Sequence, residues 1–243
     1  MGGGGRRVGG KAHGAGRKIE SSMVQPFSVD WDGICELWSD LFENEMKVDP
    51  AAHTFVATTL PDMTASSRTK QYELLFETFD AAGALLEDPA VLSLYASGMT
   101  NGLVVDLGNR LSITPISHGY SISTAQYKSF CGGLSLSEHL GRLLMDHGVD
   151  TSFVGGDGTA KASLLRGLKE QHCGVLPLGA TPRTSGSVSH VCSVDSLGGA
   201  HTLEVPLRPL DAAAEMLFSS IGGKGLHEHI VESIHKVQRD DLS

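Results

Sequence analysis

The stretch that decides the fold is PAVLSLYASGMTNGLVVDLG, residues 89–108. Asp88, just before it, is a favourable helix N-cap residue, and Pro89 fits the first helical turn, where its missing N–H is not needed. The pattern therefore predicts a helix that begins at Pro89 and ends near Gly98. An apolar strand from Gly102 to Asp106 follows that helix. A helix that leads into an apolar strand is typical of folds that mix the two kinds of element.

A second apolar segment, Leu111 to Ile116, follows the first strand after a tight turn, which predicts a β-hairpin. The first strand ends on Asp106, and Gly108 would let the backbone come close to a ligand. An acidic side chain and a glycine at a strand end are one way in which folds bind a phosphate and its metal ion. Asn109 and Arg110 stand where a phosphate-binding turn favours small or acidic residues. The hairpin is therefore a candidate nucleotide site with an altered turn.

The rest of the chain alternates helical and extended patterns. Further helices are predicted at residues 31–45, 66–81, 135–147, 161–173, 211–218 and 226–237. Further strands are predicted at residues 54–59, 84–87, 188–194 and 201–205. This mixture predicts an α/β fold.

Composition excludes several classes of protein. The 243 residues carry a net charge of −9, which argues against nucleic acid as a partner. No apolar run approaches the roughly 20 residues needed to span a bilayer, and we expect neither a secretory signal nor a membrane partner. Four cysteines lie far apart and form no CxxC pair: Cys35, Cys131, Cys173 and Cys192. We therefore expect reduced, buried thiols in an intracellular protein.

The N-terminal segment differs from the rest of the chain. Residues 1–18 hold eight glycines and five Lys or Arg residues, and no acidic residue precedes Glu20. Such a composition cannot bury enough apolar surface to fold. We predict a disordered tail over residues 1–22, with a basic arm that docks onto an acidic surface as the alternative.

Two other motifs look functional and are weak. Residues 155–161, GGDGTAK, suggest a phosphate loop, but no glycine precedes Lys161, and Ala162 stands where Ser or Thr would hold magnesium. A surface turn is the preferred interpretation. His227 and His229 would point about 200° apart on a helix, and no HExxH spacing is present. We expect no metal site.

Several segments together resemble actin, in the same order along the chain. They are WDGICELW (31–38), LFETF (75–79), AVLSLYASG (90–98), GLVVD (102–106), LKEQHC (168–173) and GLHE (225–228). The resemblance covers about residues 24–242 and is most specific at 74–106. We identify the chain as a divergent member of the actin and actin-related protein family.

The resemblance implies a partial version of a two-lobe α/β fold that holds a nucleotide between its lobes. The implied parts are part of subdomain 1 at residues 23–98, part of subdomain 3 at 99–131 and 213–243, and a subdomain-4-like region at 132–212. The resemblance also implies that the first phosphate hairpin and the Gly-Gly-Thr loop fall outside the chain. We therefore expect core surface that a partner covers.

Site residues follow from the same resemblance. Asp106 and Gly108 match the second phosphate hairpin, and Pro89 falls at the family's water-orienting Gln. The remaining matches lie near the ribose and adenine: Gly133, Arg166, Lys169 and Glu170. The resemblance thus implies a remnant cleft with no catalytic residue and no metal ligand. ATP or ADP with magnesium would bind weakly, if it binds at all.

The sequence therefore predicts a non-catalytic structural subunit. It would join protein partners in a larger cytoplasmic, cytoskeletal assembly, with an axonemal location left open. Two alternatives stay open: a nucleotide-binding switch without efficient hydrolysis, and an incomplete gene product of an actin-like protein.

Overall fold

The structure is a computed structural model that describes residues 23–25, 28–59, 63–151, 158–177, 179–181, 183–194, 199–219, 221 and 223–240. Its helices are α1 Trp31–Asp40, α2 Ala65–Glu73, α3 Pro89–Ala96, α4 Gly133–Asp146, α5 Thr159–His172, α6 Leu207–Ser219 and α7 Leu226–Asp240. Its strands are β1 Met23–Gln25, β2 Ser28–Val29, β3 Thr54–Thr58, β4 Gly83–Glu87, β5 Gly102–Leu107, β6 Leu111–Ser117, β7 Tyr120–Ser121, β8 Tyr127–Ser129, β9 Ser187–Val194 and β10 Gly199–Pro206. The chain divides into two compact units, Met1–Leu92 and Ser93–Ser243, called unit 1 and unit 2 below.

Unit 1 contains a parallel pair of strands. β3 pairs with β4 over five residues, and α2 lies between them in the chain. Asp30 caps α1 by accepting a hydrogen bond from the Gly33 N–H at 3.0 Å. The core is formed by Leu75, Ala81 and Leu86, against which aromatic rings pack: Trp38, Phe55 and Tyr72. The apolar stripes of the predicted helices therefore meet one face of the strand pair.

Unit 2 contains a four-stranded antiparallel sheet. β5 and β6 form a hairpin from Gly102 opposite Ile116 to Leu107 opposite Leu111, and β7 and β8 both pair with β6. Leu111 and Ile113 are fully buried and form one core cluster with Leu217 and Ile221. The Ser233 hydroxyl of α7 donates to the Ala125 carbonyl at 2.6 Å, which ties this helix to the 3-10 turn between β7 and β8.

A second cluster in unit 2 joins helices α4, α5 and α6 with the hairpin of β9 and β10. Its central side chains are Leu140, Leu144, Leu168, Val205 and Leu210, all fully buried. The segment before β9 is held to α6 by two hydrogen bonds from the Arg183 side chain to the Asp211 carboxylate, at 2.8 and 2.6 Å. These hydrogen bonds hold the pKa of Asp211 below its usual value.

The predicted elements are confirmed with changes in their ends. The helices predicted at 31–45 and 66–81 are α1 and α2, each continued by a π-helical segment, Leu41–Met46 and Leu74–Thr78. The hairpin of the opening stretch and the helix that begins at Pro89 are present, and the strands predicted at 188–194 and 201–205 are β9 and β10, which pair antiparallel. α6 begins at Leu207, earlier than residue 211, because Pro209 lies in the first turn, where the N–H groups lack intrahelical partners. The predicted tail at 1–22 and residues 155–157 of the GGDGTAK segment lie outside the described residues.

Candidate functional site

The candidate hairpin places Asp106 one residue before the end of β5. Asp106 pairs with Ser112 across the hairpin and is exposed. A Cβ atom added at Gly108 would lie 3.4 Å from the Asp106 Oδ1. The carboxylate therefore lies beside the turn, as the sequence predicted for a strand end that faces a ligand.

The turn of the hairpin contacts the first residues of α4. The Gly133 N–H donates to the Gly108 carbonyl at 2.7 Å. A Cβ atom added at Gly132 would lie 2.5 Å from the Asn109 carbonyl oxygen and 2.6 Å from the Arg110 Cα. Real Cβ atoms essentially never come so close to backbone atoms, so Gly132 must be glycine for the turn to contact the helix as it does. Gly132 is not among the predicted site residues, although two adjacent glycines before a helical stripe are a usable signal.

Lys169 reaches the same place from α5. Its Nζ donates to the Gly133 carbonyl at 2.8 Å and lies 3.1 Å from the position that a Cβ of Gly133 would take. Gly108, Gly133 and Lys169, which are far apart in the sequence, are therefore brought together. We call these three residues the turn cluster.

Arg166 and Glu170 are not part of the turn cluster. They form an ion pair with each other, 2.8 Å from Nε to Oε1, and both side chains are more than half exposed. An exposed pair at this helical spacing contributes about 0.3–0.5 kcal/mol. The structure therefore brings one of the three predicted α5 residues to the hairpin and leaves the other two paired on the helix surface.

Arg110 gives the turn a positive charge. Its guanidinium carbon lies 4.9 Å from the centroid of the Phe130 ring, within the range of a cation–π interaction. Phe130 is exposed and follows β8 directly. The altered turn is thus stabilised by a contact within the chain.

Pro89 lies in unit 1. It is the first residue of α3, and the preceding Asp88 accepts a hydrogen bond from the Ala90 N–H at 2.8 Å. Proline has no side-chain donor or acceptor. The position therefore serves to start a helix, and its side chain supplies no group that could orient a water molecule.

The histidines near the C-terminus point in different directions. The His227 ring lies 6.2 Å from Phe218, whereas His229 is buried, stacks on Tyr127 at 3.8 Å, and contacts the Ile221 carbonyl at 2.8 Å. Among the residues that the structure describes, no group of three or more His, Cys, Asp or Glu side chains is placed to hold a metal ion.

A buried histidine, His190, and its half-buried neighbours His172 and Cys173 in unit 2 carry no signal in the sequence. The Nε2 of His172 and the Nδ1 of His190 lie 3.2 Å apart and share a hydrogen bond. Burial lowers the pKa of His190, and the neighbouring His172 lowers it further. Burial also raises the pKa of the Cys173 thiol to about 11, with a smaller effect from Asp211, so this thiol is a poor nucleophile.

Comparison with known protein families gives a match. The family model described as Actin matches residues 8–154, which is more than half of the chain. The matched range contains the hairpin, Gly132 and Gly133, and it ends before α5. None of the described helices is long and apolar enough to cross a membrane.

Proposed function

The chain belongs to the actin family, and from this premise we propose that it is a non-catalytic structural subunit of a cytoskeletal assembly with a degenerate nucleotide cleft. Its mixed helices and sheets form a partial actin-like α/β fold.

The observation that carries the proposal is Pro89 at the start of α3. The family's water-orienting Gln falls at this position by resemblance, and proline offers no hydrogen bond in its place. ATP hydrolysis depends on a positioned water and on stabilised phosphate charge. Loss of one hydrogen-bonding catalytic group commonly lowers the rate by about 10²–10³. We therefore expect no ATP turnover that this chain accelerates.

The turn of the hairpin supports the same conclusion. Contacts within the chain fill the space where glycines would otherwise leave room: Gly133 binds the Gly108 carbonyl, and Gly132 lies against the backbone of Asn109 and Arg110. Asp106 and Lys169 supply one carboxylate and one ammonium group, and Lys169 already donates to Gly133. These residues, in their present contacts, fit a magnesium-nucleotide poorly.

Exposed apolar side chains support a role in protein contacts. In unit 2, Tyr120, Phe130 and Leu134 are all more than half exposed. Large exposed apolar patches on soluble proteins usually mark contact surfaces. Membership of the actin family makes cytoskeletal proteins the partners that we propose.

A nucleotide-binding switch is the second candidate. One observation favours it: the turn cluster brings the cationic Lys169 side chain to Gly108 and Gly133, although a nucleotide would have to displace the hydrogen bond from Lys169 to the Gly133 carbonyl. ATP or ADP bound there would stabilise the fold without being hydrolysed. Binding at a ligand concentration 100 times the Kd would raise the free energy of unfolding by about 2.7 kcal/mol.

Thermal unfolding of the full chain with and without magnesium-ATP tests both candidates, combined with an assay of phosphate release. The structural proposal expects no ATP-dependent rise in Tm and no phosphate release above buffer. The switch expects a rise in Tm that Asp106→Ala abolishes and that Asp146→Ala, an exposed aspartate at the end of α4, leaves intact. Phosphate release that Asp106→Ala removes would contradict the proposal that the chain is non-catalytic.

A further inference from the structure

Asn101 is the one asparagine of the chain that is followed by a glycine. The chain has three asparagines, and the other two, Asn44 and Asn109, are followed by a glutamate and an arginine. When the backbone nitrogen of the next residue attacks an asparagine amide, a five-membered ring closes, and a side chain on that next residue obstructs the attack. Gly102 has no side chain, so the sequence leaves this route open at position 101.

The amide of Asn101 is held by the turn between β6 and β7. Its Oδ1 accepts a hydrogen bond from the His118 N–H at 2.7 Å, and its Nδ2 donates to the Thr100 hydroxyl at the longer distance of 3.4 Å. Asn101 is exposed and lies directly before β5. Water therefore reaches an amide whose carbonyl oxygen faces a backbone donor.

The His118 N–H lies where the attack on the amide would place negative charge. When the Gly102 nitrogen adds to the Asn101 Cγ, charge develops on Oδ1, and a backbone N–H at hydrogen-bond distance from such an oxygen stabilises it. The turn that carries this donor is fixed by a second hydrogen bond, from the Gly119 N–H to the Thr100 carbonyl at 2.8 Å. The donor is therefore in place before the reaction starts.

We propose that Asn101 is a site of spontaneous deamidation in the folded chain. The Gly102 nitrogen loses its proton and bonds to the Asn101 Cγ, the Cγ–Nδ2 bond breaks, and Nδ2 leaves as ammonia. Water then opens the cyclic imide at one of its two carbonyls. Opening at Cγ gives aspartate, and opening at the former backbone carbonyl gives isoaspartate, in which the main chain runs through Cβ and Cγ. The inference goes beyond the proposed function, because it involves neither a nucleotide nor a partner.

The two products act differently on the turn between β6 and β7. Aspartate keeps an acceptor for the His118 N–H, whereas isoaspartate lengthens the main chain by one carbon before β5 and displaces that acceptor. His118 has a positive φ of 52°, a conformation that residues other than glycine seldom adopt. Hydrogen exchange at His118 and Gly119 should therefore be faster in the aged isoaspartate form than in Asn101→Asp. Equal exchange in the two forms would contradict this role of the Asn101 side chain.

Incubation of the full chain in warm, mildly alkaline buffer, followed by trypsin and mass spectrometry, tests the site. Asn101 and Asn109 lie in one tryptic peptide, residues 71–110, so its fragmentation compares them in the same sample. Asn101 should deamidate at least about tenfold faster than Asn109, which corresponds to about 1.4 kcal/mol in the barrier. A protease that cleaves before aspartate and not before isoaspartate separates the two products.

The same incubation in urea separates the effect of the fold from that of the sequence. The folded chain should deamidate at Asn101 at least as fast as the unfolded chain, because the fold holds the His118 N–H against Oδ1. A lower rate in the folded chain than in urea would overturn the proposal.

Variants at the glycine provide the matched controls. A Cβ added at Gly102 would lie 3.1 Å from the Leu94 Cδ1, the end of a flexible side chain, so Gly102→Ala needs only a small shift of Leu94. Gly102→Ala should slow deamidation at Asn101 at least about tenfold. Gly174→Ala, at a position where a Cβ meets no atom within 4 Å, should leave the rate unchanged.

Asn101→Gln covers the case in which Gly102→Ala does not fold, as judged by circular dichroism. Its amide would have to close a six-membered ring, so position 101 should stay intact under the same incubation. Equal rates at Asn101 and Asn109, a rate that Gly102→Ala leaves unchanged, or an Asn101→Gln variant that reacts as fast as the wild type would each overturn the proposal. The nucleotide experiment depends on Asp106 instead, so either proposal can fail while the other stands.

Discussion

The parallel strand pair of unit 1 and the antiparallel sheet of unit 2 are completed in different ways. In unit 1, Val56 of β3 lies opposite Leu85 of β4, and these side chains are 63% and 49% exposed. In unit 2, Leu111 and Ile113 of the central strand β6 are fully buried under a cluster that includes Leu217. Among the residues that the structure describes, the parallel pair is therefore covered on one face only, whereas the antiparallel sheet has a buried central strand, β6, between two edges, β5 on one side and β7 and β8 on the other.

The difference reflects how far apart in the sequence the paired strands lie. An antiparallel hairpin needs only a tight turn, whereas a parallel pair needs a long crossover and is normally covered on both faces. Two strands alone are marginally stable. We therefore expect the parallel pair to open before the antiparallel sheet does. The chain has two tryptophans, Trp31 and Trp38, and both lie in α1 of unit 1, so their fluorescence reports that unit alone.

The largest expected effect comes from Ile113→Ala, which opens a cavity in the antiparallel sheet. Removing a fully buried isoleucine side chain to the Cβ typically costs about 2–5 kcal/mol of stability. In the wild type, hydrogen exchange should protect β6 at urea concentrations where tryptophan fluorescence already reports unfolding. In Ile113→Ala, the loss of β6 protection should move to lower urea and narrow that gap.

Val56→Ala is the control for this comparison, because Val56 is an exposed aliphatic residue on a strand of unit 1. It should change stability by no more than about 0.5 kcal/mol. Exchange of β6 ahead of the tryptophan transition in the wild type would contradict the expected order of stability.

The sequence predicted the local parts of both units. The spacing of apolar residues located the two hairpins and the helices to within a few residues, because each depends on neighbours in the chain. It did not predict that β3 pairs with β4, since the register of distant strands is set by tertiary packing. It also missed β7 and β8, which are only two and three residues long and carry too little pattern to detect.

The candidate site was predictable in its backbone and less so in its side chains. The resemblance to the family brought Gly108, Gly133 and Lys169 to one place, and the structure shows them in contact. The resemblance also placed Arg166 and Glu170 at the nucleotide with Lys169, whereas in the structure these two side chains form an ion pair with each other on the helix surface. Matching residues by sequence does not reveal which side chains will pair. The hydrogen bond between His172 and His190 depends on the packing of α5 against β9, which no local spacing encodes.

An intermediate loss of stability is expected from a change at Gly132, which contacts the turn between β5 and β6. Gly132→Ala would place a Cβ 2.5 Å from the Asn109 carbonyl oxygen and 2.6 Å from the Arg110 Cα. Both are backbone atoms, which cannot rotate away as the end of a side chain could. Forced contacts of this kind typically cost about 1–3 kcal/mol. Urea unfolding followed by circular dichroism should show that loss, and hydrogen exchange should place it in residues 102–117.

Gly174→Ala is the matched control, because a Cβ added at Gly174 meets no atom within 4 Å. An equal loss of stability in both variants would show that the contact between the turn and α4 is not what matters.

The smallest expected effect is a pH dependence that acts on unit 2. Because burial lowers the pKa of His190, the unfolded chain takes up this proton at a higher pH, about 6.5, than the folded chain does. The stability that neutral His190 contributes is thus present above about pH 6.5 and is lost as the pH falls toward the folded pKa, by at most about 1.4 kcal/mol per pH unit. The urea concentration at the midpoint of exchange in β9 should therefore decrease as the pH is lowered below about 6.5. His190→Gln should make this midpoint less dependent on pH. His53→Gln, at an exposed histidine of unit 1, should leave the dependence unchanged, and a slope that survives His190→Gln would assign it to other groups.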